Sequence, residues 1–390
     1  VRFTRIELRN WKNFTKVEAE LDSRVFVIGP NASGKSNFLE VFKFLRDLAL
    51  PGGGLAEACR VRGGVKNLRS VFARRSPQVE INVELVLADR VKWGYSLTFT
   101  KDGRDGPPRV IQETVWNRAD GDSNGRLNIV LDRPTKEDKA DPERLSQTAL
   151  EQTVANRSFR EVAEFFRTIR YLHLVPQVVR EGASKPDSII SEDSMGRDLL
   201  DRIHGTPKRT KESRLKLLVG ALRIAVPQFE SLEVITDERG RPHLRCRFQH
   251  WRPNGAFQDE TQLSDGTLRL IGLLWSLMDG DGPLLLEEPE LSLHTGLLHN
   301  LAPLIHRAQK LAKGRQVILS THSEHLLRDE GIGPEEILFI EPNKEGSRLV
   351  EAKSNPEIVT LMARAGLSAS EAVLPRTSVH DAGNLGLVFK

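Results

Sequence analysis

Apolar and polar residues alternate with a period of two near the start of the chain, through Phe3, Ile6 and Leu8 set among Arg2, Arg5 and Glu7. Residues 2–9 and 15–28 therefore read as two strands joined by Asn10-Trp11-Lys12-Asn13-Phe14. The end of the second, Arg24–Ile28, is apolar enough for a buried strand. Phe38, Val41, Phe42 and Leu45 then fall at helical spacing, and this helix stops before the breaker Pro51-Gly52-Gly53-Gly54. Clean alternation returns at 79–88 and 93–99, and with 108–116 and 127–131 it predicts an antiparallel sheet with one wet face. Asp120–Gly125 reads as a turn, without the spacing or terminal Glu of a calcium loop. Residues 142–168 carry a helical pattern and run into a strand at 169–175 that closes at Pro176-Gln177. The polar stretch 181–194 reads as a mobile loop. Helices are predicted at 195–203 and 211–225, and strands near 230–236 and 243–250.

In the last third, Leu268, Ile271, Leu274, Trp275 and Met278 form the buried side of a helix. An apolar strand at 283–288, an amphipathic helix through Leu297, Leu301, Leu304, Ile305 and Ala308, and a strand at 316–321 form a βαβ unit. One more strand at Glu336–Glu341 and a short helix at 357–365 follow. No repeat and no sustained heptad is present, so no long coiled-coil arm is expected.

The 390 residues are ample for a large core, and 39% hydrophobic with 28% charged content describes an ordinary soluble chain. The longest apolar run, near Leu270–Met278, is too short for a bilayer, so no membrane is expected. Cys59 and Cys246 lie far apart with no metal-like spacing, which points to a disulfide-free protein of the cytoplasm. The net charge of +4 permits nucleic-acid contact without demanding it. The candidate DNA face is the cluster Arg60, Arg62, Lys66 and Arg69 with Arg74 and Arg75.

Between the buried strand and the first helix stands Gly29-Pro30-Asn31-Ala32-Ser33-Gly34-Lys35-Ser36, a match to G-x-x-x-x-G-K-[ST] at every fixed position. In that context backbone N–H groups turn inward on phosphates at a helix N-terminus. Lys35 is expected to reach the β- and γ-phosphates of a nucleoside triphosphate, and the Ser36 hydroxyl to sit on Mg²⁺. Asn37 follows directly and joins the expected binding set. The strand at 283–288 ends in Glu287 and Glu288, suited to a metal-side carboxylate and a base for water. The strand at 316–321 ends in Ser320-Thr321-His322-Ser323. Both tips fall at the carboxyl ends of parallel strands, where α/β folds bind ligands. Leu263-Ser264-Asp265-Gly266-Thr267 opens a helix and reads as a second anion cradle.

Phosphate loop, Leu-Ser-x-Gly-x, apolar strand plus Glu, and Ser-Thr-His, in that order, resemble the ABC-type ATPase heads. Among them the chain resembles the branch holding RecF-type and SMC-type chromosome proteins and the OLD-family (overcoming-lysogenization-defect) ATPases. Glu288-Pro289-Glu290-Leu291-Ser292-Leu293-His294 and Ser320–Ser323 resemble the OLD and abortive-infection relatives in particular. The resemblance spans residues 29–323. It implies a two-lobed α/β P-loop head, with a mixed central sheet, an antiparallel β subdomain and a helical insertion. Its expected parts are lobe I at 1–178, an insertion at 179–262, lobe II at 263–355, and a tail at 356–390.

By the same resemblance Ser264 and Gly266 act in trans on ATP held by a second subunit, so that a homodimer encloses two ATP. Glu288 is then the catalytic base, His322 the switch histidine, and Glu287 a support for Mg²⁺. Gln177, at a strand end, fits the glutamine that senses Mg²⁺, with Gln78 as a rival. Asn10–Phe14 would approach the adenine. Two departures stand out: Glu287 replaces the usual Asp and carries an extra methylene, so either the backbone sits slightly further back or hydrolysis is slow. Asp265 stands where Gly is common and is expected to point away from triphosphate, toward a partner chain. The implied function is an ATP-driven switch for a separate effector, nuclease- or toxin-like, in anti-phage defence. The alternative is a RecF-like ATPase of DNA repair or chromosome maintenance.

Overall fold

The strand that feeds the phosphate loop is buried along its whole length, because it runs through the middle of a sheet covered on both faces. In the computed structural model, residues 74–75, 90, 104–105, 120–126, 183–193, 251–255, 313 and 378–390 are outside what is described. The expected turn at Asp120–Gly125, most of the expected loop at 181–194, and Arg74 and Arg75 fall among them.

The described strands are β1 (Arg2–Trp11), β2 (Phe14–Glu20), β3 (Arg24–Ile28), β4 (Val79–Val86), β5 (Val91–Lys101), β6 (Pro108–Ala119), β7 (Asn128–Arg133) and β8 (Arg170–Leu172). They continue with β9 (Phe229–Thr236), β10 (Pro242–Phe248), β11 (Ala256–Gln258), β12 (Leu284–Glu287), β13 (Val317–Thr321), β14 (Ile337–Asn343) and β15 (Gly346–Glu351). The central sheet has the order β15-β14-β3-β13-β12-β8, parallel except for β15. An antiparallel sheet has the order β2-β1-β4-β5-β6-β7, and a small sheet the order β11-β10-β9. The chain is thus a mixed α/β fold with an antiparallel β subdomain.

Alternation along the central strands divides the interior into two cores. Val25, Val27, Leu285, Ile318, Leu338 and Ile340 face one, with the antiparallel sheet and the Lys35–Ala49 helix. Phe26, Ile28, Leu286, Leu319 and Phe339 face the other, with the Asp265–Met278 and Leu301–Leu311 helices. Apolar burial on both faces explains why these strands read as continuous hydrophobic runs.

Three sequence expectations differ from the structure. Residues 15–28 are not one strand: Leu21-Asp22-Ser23 break them, so that β2 joins the antiparallel sheet and β3 the central one. Residues 142–168 are mostly not α-helical; only Arg160–Arg167 is. There, buried side chains take the backbone groups a helix would use. Glu113 accepts from Ala149 N (2.6 Å) and Leu150 N (3.1 Å), Glu151 accepts from Thr148 N (2.9 Å), and Asn156 Nδ2 donates to Leu150 O (2.8 Å). The strand expected to close at Gln177 ends at Leu172, and Gln177 lies in a short helix, Pro176–Glu181, opened by its proline. Finally β11, β15 and the Ala369–Thr377 helix are additions with no sequence expectation behind them.

Candidate nucleotide-binding site

The loop Gly29–Ser36 turns from β3 into the Lys35–Ala49 helix through two left-handed residues, Ala32 (φ 62°) and Gly34 (φ 111°). A Cβ on Gly34 would meet Asn13 Nδ2 at 2.1 Å, and glycine there removes both obstacles. Asn13, in the β1–β2 turn, clamps the loop: its Nδ2 donates to Ser33 O (2.6 Å) and Ser347 Oγ (2.8 Å), and its Oδ1 accepts from Asn37 Nδ2 (2.8 Å). Ser347, from β15, donates to the same Ser33 carbonyl at 2.6 Å. The buried Lys35 ammonium donates to Gly29 O (2.9 Å) and Pro30 O (3.2 Å), so it lies folded under its own loop. Burial lowers the Lys35 pKa, against the opposing pull of Glu288, Glu290 and Glu287. The Ser33 hydroxyl is buried without a hydrogen-bond partner, a spare polar group in a phosphate cradle. Asn31 and Ala32 form the exposed crest.

Parallel register brings the acid tip beside this loop. Glu287 on β12 stands level with Ser320 on β13, and Thr321 level with Ile28 on β3. Ser36 Oγ donates to Glu287 Oε1. The other oxygen, Oε2, accepts from the Tyr171 hydroxyl of β8, and His173 Nδ1 lies 4.0 Å from it. A hydroxyl and a carboxylate side by side are hard oxygen donors, a set that fits a Mg²⁺ ion keeping several waters. Glu288 sits in the left-handed region (φ 43°), an uncommon setting for a side-chain-bearing residue, and this turns its carboxylate to His322 Nδ1 at 3.1 Å. Glu290 lies beneath the pair, accepting from Thr321 Oγ1 (2.6 Å) and His322 N (3.3 Å); burial raises its pKa, and its Oε2 has no partner.

The structure thus brings together Gly29–Asn37, Glu287, Glu288 and His322. Ser264, Gly266 and Gln177 lie elsewhere. Ser264 Oγ caps its own helix by accepting from Thr267 N at 3.2 Å, and a Cβ on Gly266 would meet Ser292 O at 2.6 Å. Asp265 pairs within its own chain, with Arg180 Nη2 (2.6 Å) and Gln177 Nε2 (3.1 Å), and Arg180 holds its carboxyl below the usual range. Beside Glu287, where Gln177 was expected, stand Tyr171 and His173. Sequence reasoning passed over both, and Glu290 as well. The only signal for the first two was their place on a strand before Pro176.

A cleft of about 820 Å³ opens beside the loop, lined by Lys12, Asn13, Asn37, Lys66 and Arg69 among others. Lys12 and Asn10 both adopt positive φ (49° and 54°) in this turn, which meets the loop through Asn13. The basic cluster is only partly available for DNA. Arg62 is buried against Glu40 (2.7 Å) and Asp47 (2.8 Å), and Arg60 pairs with Glu57.

A family model described as "AAA domain, putative AbiEii toxin, Type IV TA system" matches residues 24–328. Among solved structures the chain is similar to an SMC head bound to the C-winged helix domain of ScpA, at 16% identity and TM-score 0.53, covering 90% of this chain and 97% of that one. It is also similar to the Smc head domain with an extended coiled coil bound to the C-terminal domain of ScpA, derived from Pyrococcus furiosus (14% identity, TM-score 0.51, 93% and 99% covered). No curated protein matches the chain. The two likenesses show that the chain has the fold of the SMC head domains. Among the described residues, no helix is long and apolar enough to cross a membrane.

Proposed function

The chain belongs to the AAA-domain family described as "putative AbiEii toxin, Type IV TA system", and from that premise we propose that it is a Mg²⁺-dependent ATPase whose nucleotide state switches a partner protein. The observation that carries the reading is the convergence of Lys35, Ser36, Glu287, Glu288 and His322 at the carboxyl ends of β3, β12 and β13. Lys35 leaves its loop carbonyls for the β- and γ-phosphates, and Ser36 and Glu287 hold the metal. Mg²⁺ held by these two residues would supply neutralisation of the charge that develops on the phosphates. Glu288 takes the proton of the attacking water as the bond from the γ-phosphorus to the ADP oxygen breaks, and His322 keeps Glu288 and the water aligned. Positioning and electrostatics supply most of such an acceleration.

In this reading two heads face each other around two ATP, with Ser264 and Gly266 of each serving the other's nucleotide. Supporting it, neither residue serves the loop of its own chain by a hydrogen bond among the described residues. The parts of the head are taken as lobe I (1–178), an insertion (179–262) and lobe II (263–355). The family's toxin–antitoxin wording supports a defence setting and a protein effector. The test is Mg²⁺-ATPase activity and sedimentation of wild type, Lys35→Ala and Glu288→Gln. We expect slow wild-type turnover, no nucleotide binding by Lys35→Ala, and an ATP-dependent dimer of Glu288→Gln. Full ATP affinity in Lys35→Ala would remove the assignment.

The second reading, a DNA-maintenance ATPase, is favoured by one feature: Lys12, Lys66 and Arg69 converge on a cleft lined, among the described residues, by no carboxylate. It predicts duplex-stimulated turnover that falls steeply with salt. ATPase indifferent to duplex DNA at low salt would exclude it.

A further inference from the structure

Both oxygens of Glu287 are engaged, and from different directions. Oε1 accepts from Ser36 in the first turn of the loop helix, and Oε2 accepts from Tyr171 on the edge strand β8. Tyr171 stands level with Leu285 on β12. Glu287 is two residues further on, so both side chains leave the sheet on the same face, the face covered by the Lys35–Ala49 helix. From that helix the Lys43 ammonium lies 5.2 Å from the centre of the Tyr171 ring, a cation–π contact that fixes the ring from above. Tyr171 is only 8% exposed. Its phenol O–H is the donor of the bond to Glu287.

A glutamate has one more rotatable bond than the aspartate expected at this place, and an untethered carboxylate would sample several orientations beside Ser36. We propose that Tyr171 is a positioning residue, holding the Glu287 carboxylate with one oxygen directed at Ser36 and so setting the divalent-cation affinity of the Ser36–Glu287 pair. The inference rests on the reading of that pair as the metal side of a nucleotide site. Tyr171 itself touches neither nucleotide nor cation. Its contribution passes through Glu287 alone, as with hydrogen-bonded carboxylates behind other metal sites, whose loss lowers metal affinity roughly 10- to 100-fold.

The test is binding of a fluorescent ATP analogue by the full chain, titrated with Mg²⁺ from a chelated baseline. Tyr171→Phe keeps the ring and the Lys43 contact. We expect its half-saturating Mg²⁺ to rise by about ten-fold, with metal-free nucleotide affinity and thermal midpoint close to wild type. In a Glu287→Gln background the same change should add nothing, because the residue it acts through is gone. An unchanged Mg²⁺ half-point in Tyr171→Phe overturns the proposal, as does an equal loss in the metal-free measurement. Failure of the underlying reading has a different signature: wild-type binding that Mg²⁺ does not alter, which overturns both. Should Tyr171→Phe melt early, the Glu287→Asp background decides. Asp draws the carboxylate back from the phenol by one methylene, so adding Tyr171→Phe there should shift the half-point less than it does in wild type, and an equal or larger shift overturns the proposal.

Discussion

His322 Nδ1 lies 3.1 Å from Glu288 Oε1, across the tips of two adjacent parallel strands. The contact joins a residue in the left-handed region to one that follows a fully buried strand, so both partners are held by backbone. Replacing Glu288 by Gln keeps the shape and removes the proposed base. ATP turnover should fall by about two to four orders of magnitude while ATP affinity stays within a few-fold of wild type. His322→Ala should lower turnover without restoring the Glu288→Gln rate. Single-turnover hydrolysis alongside equilibrium binding checks both. Wild-type turnover by Glu288→Gln would move the base elsewhere, first to Glu290, whose raised pKa and unpartnered Oε2 make it the next carboxylate in reach.

Asn13 is the second lever. It ties Ser33, Asn37 and Ser347 together across the phosphate loop. Asn13→Ala removes three hydrogen bonds, each of about 1 kcal/mol net, although Ser347 still holds the Ser33 carbonyl. ATP affinity should fall about ten-fold, equivalent to about 1.4 kcal/mol, with turnover at saturating ATP nearly unchanged. Calorimetric titration separates the two. An unaltered affinity would mean that the loop holds its shape without the clamp.

The parts of this site that were legible in the sequence are those that chain neighbours create. Gly29–Ser36 needs only its own glycines and the apolar residues on either side. Glu287, Glu288 and His322 announce themselves as polar tips on apolar strands. Tyr171 was illegible because its partner is 116 residues away and is reached only once β8 lies beside β12. Gln177 was misplaced because Pro176 can close a strand or open a helix, and packing chose the helix. The helical periodicity at 142–168 misled because Glu113, a strand residue, takes up the backbone amides of Ala149 and Leu150. Asp265 shows the same limit, since its repulsion from phosphate was foreseeable and its pairing with Arg180 was not.

The antiparallel subdomain depends on a buried charge cluster. Arg133 is 5% exposed and Glu113 fully buried; they meet at 3.1 Å, with Asp138 at 3.0 Å on the other side of the guanidinium. Arg133 also donates to the carbonyls of Gln147 (3.0 Å) and Arg144 (2.8 Å). Arg133→Met leaves Glu113 buried without its cation and should cost about 3–5 kcal/mol. Urea unfolding checks this. Adding Glu113→Gln should recover part of the loss, because the uncompensated charge is then gone. A cost below about 1 kcal/mol, the range of an exposed pair, would show that the cluster does not hold this subdomain.

Glu151 gives the stability a pH dependence of definite sign. It accepts from Leu55 N (2.7 Å) and Thr148 N (2.9 Å), yet burial pushes its pKa from 4.5 up to about 7. Between those two values the folded chain holds a proton that the unfolded chain has released, so this residue's contribution to stability falls as pH rises. The contribution is full below about pH 4.5, declines through about pH 7 and is flat above it. At about 1.4 kcal/mol per unit the whole swing is at most about 3.5 kcal/mol. Glu151→Gln titrates nowhere in this range and keeps one acceptor for the Leu55 amide. The measurement is urea unfolding of wild type and Glu151→Gln at pH 5.0 and 7.5. Acids that do not interact with Glu151 contribute equally to both proteins, so the difference reports Glu151 together with its coupling to Glu113: wild type should lose about 2–3 kcal/mol relative to the variant over this interval. Parallel pH profiles would show that the two backbone amides offset the burial and keep Glu151 ionised throughout.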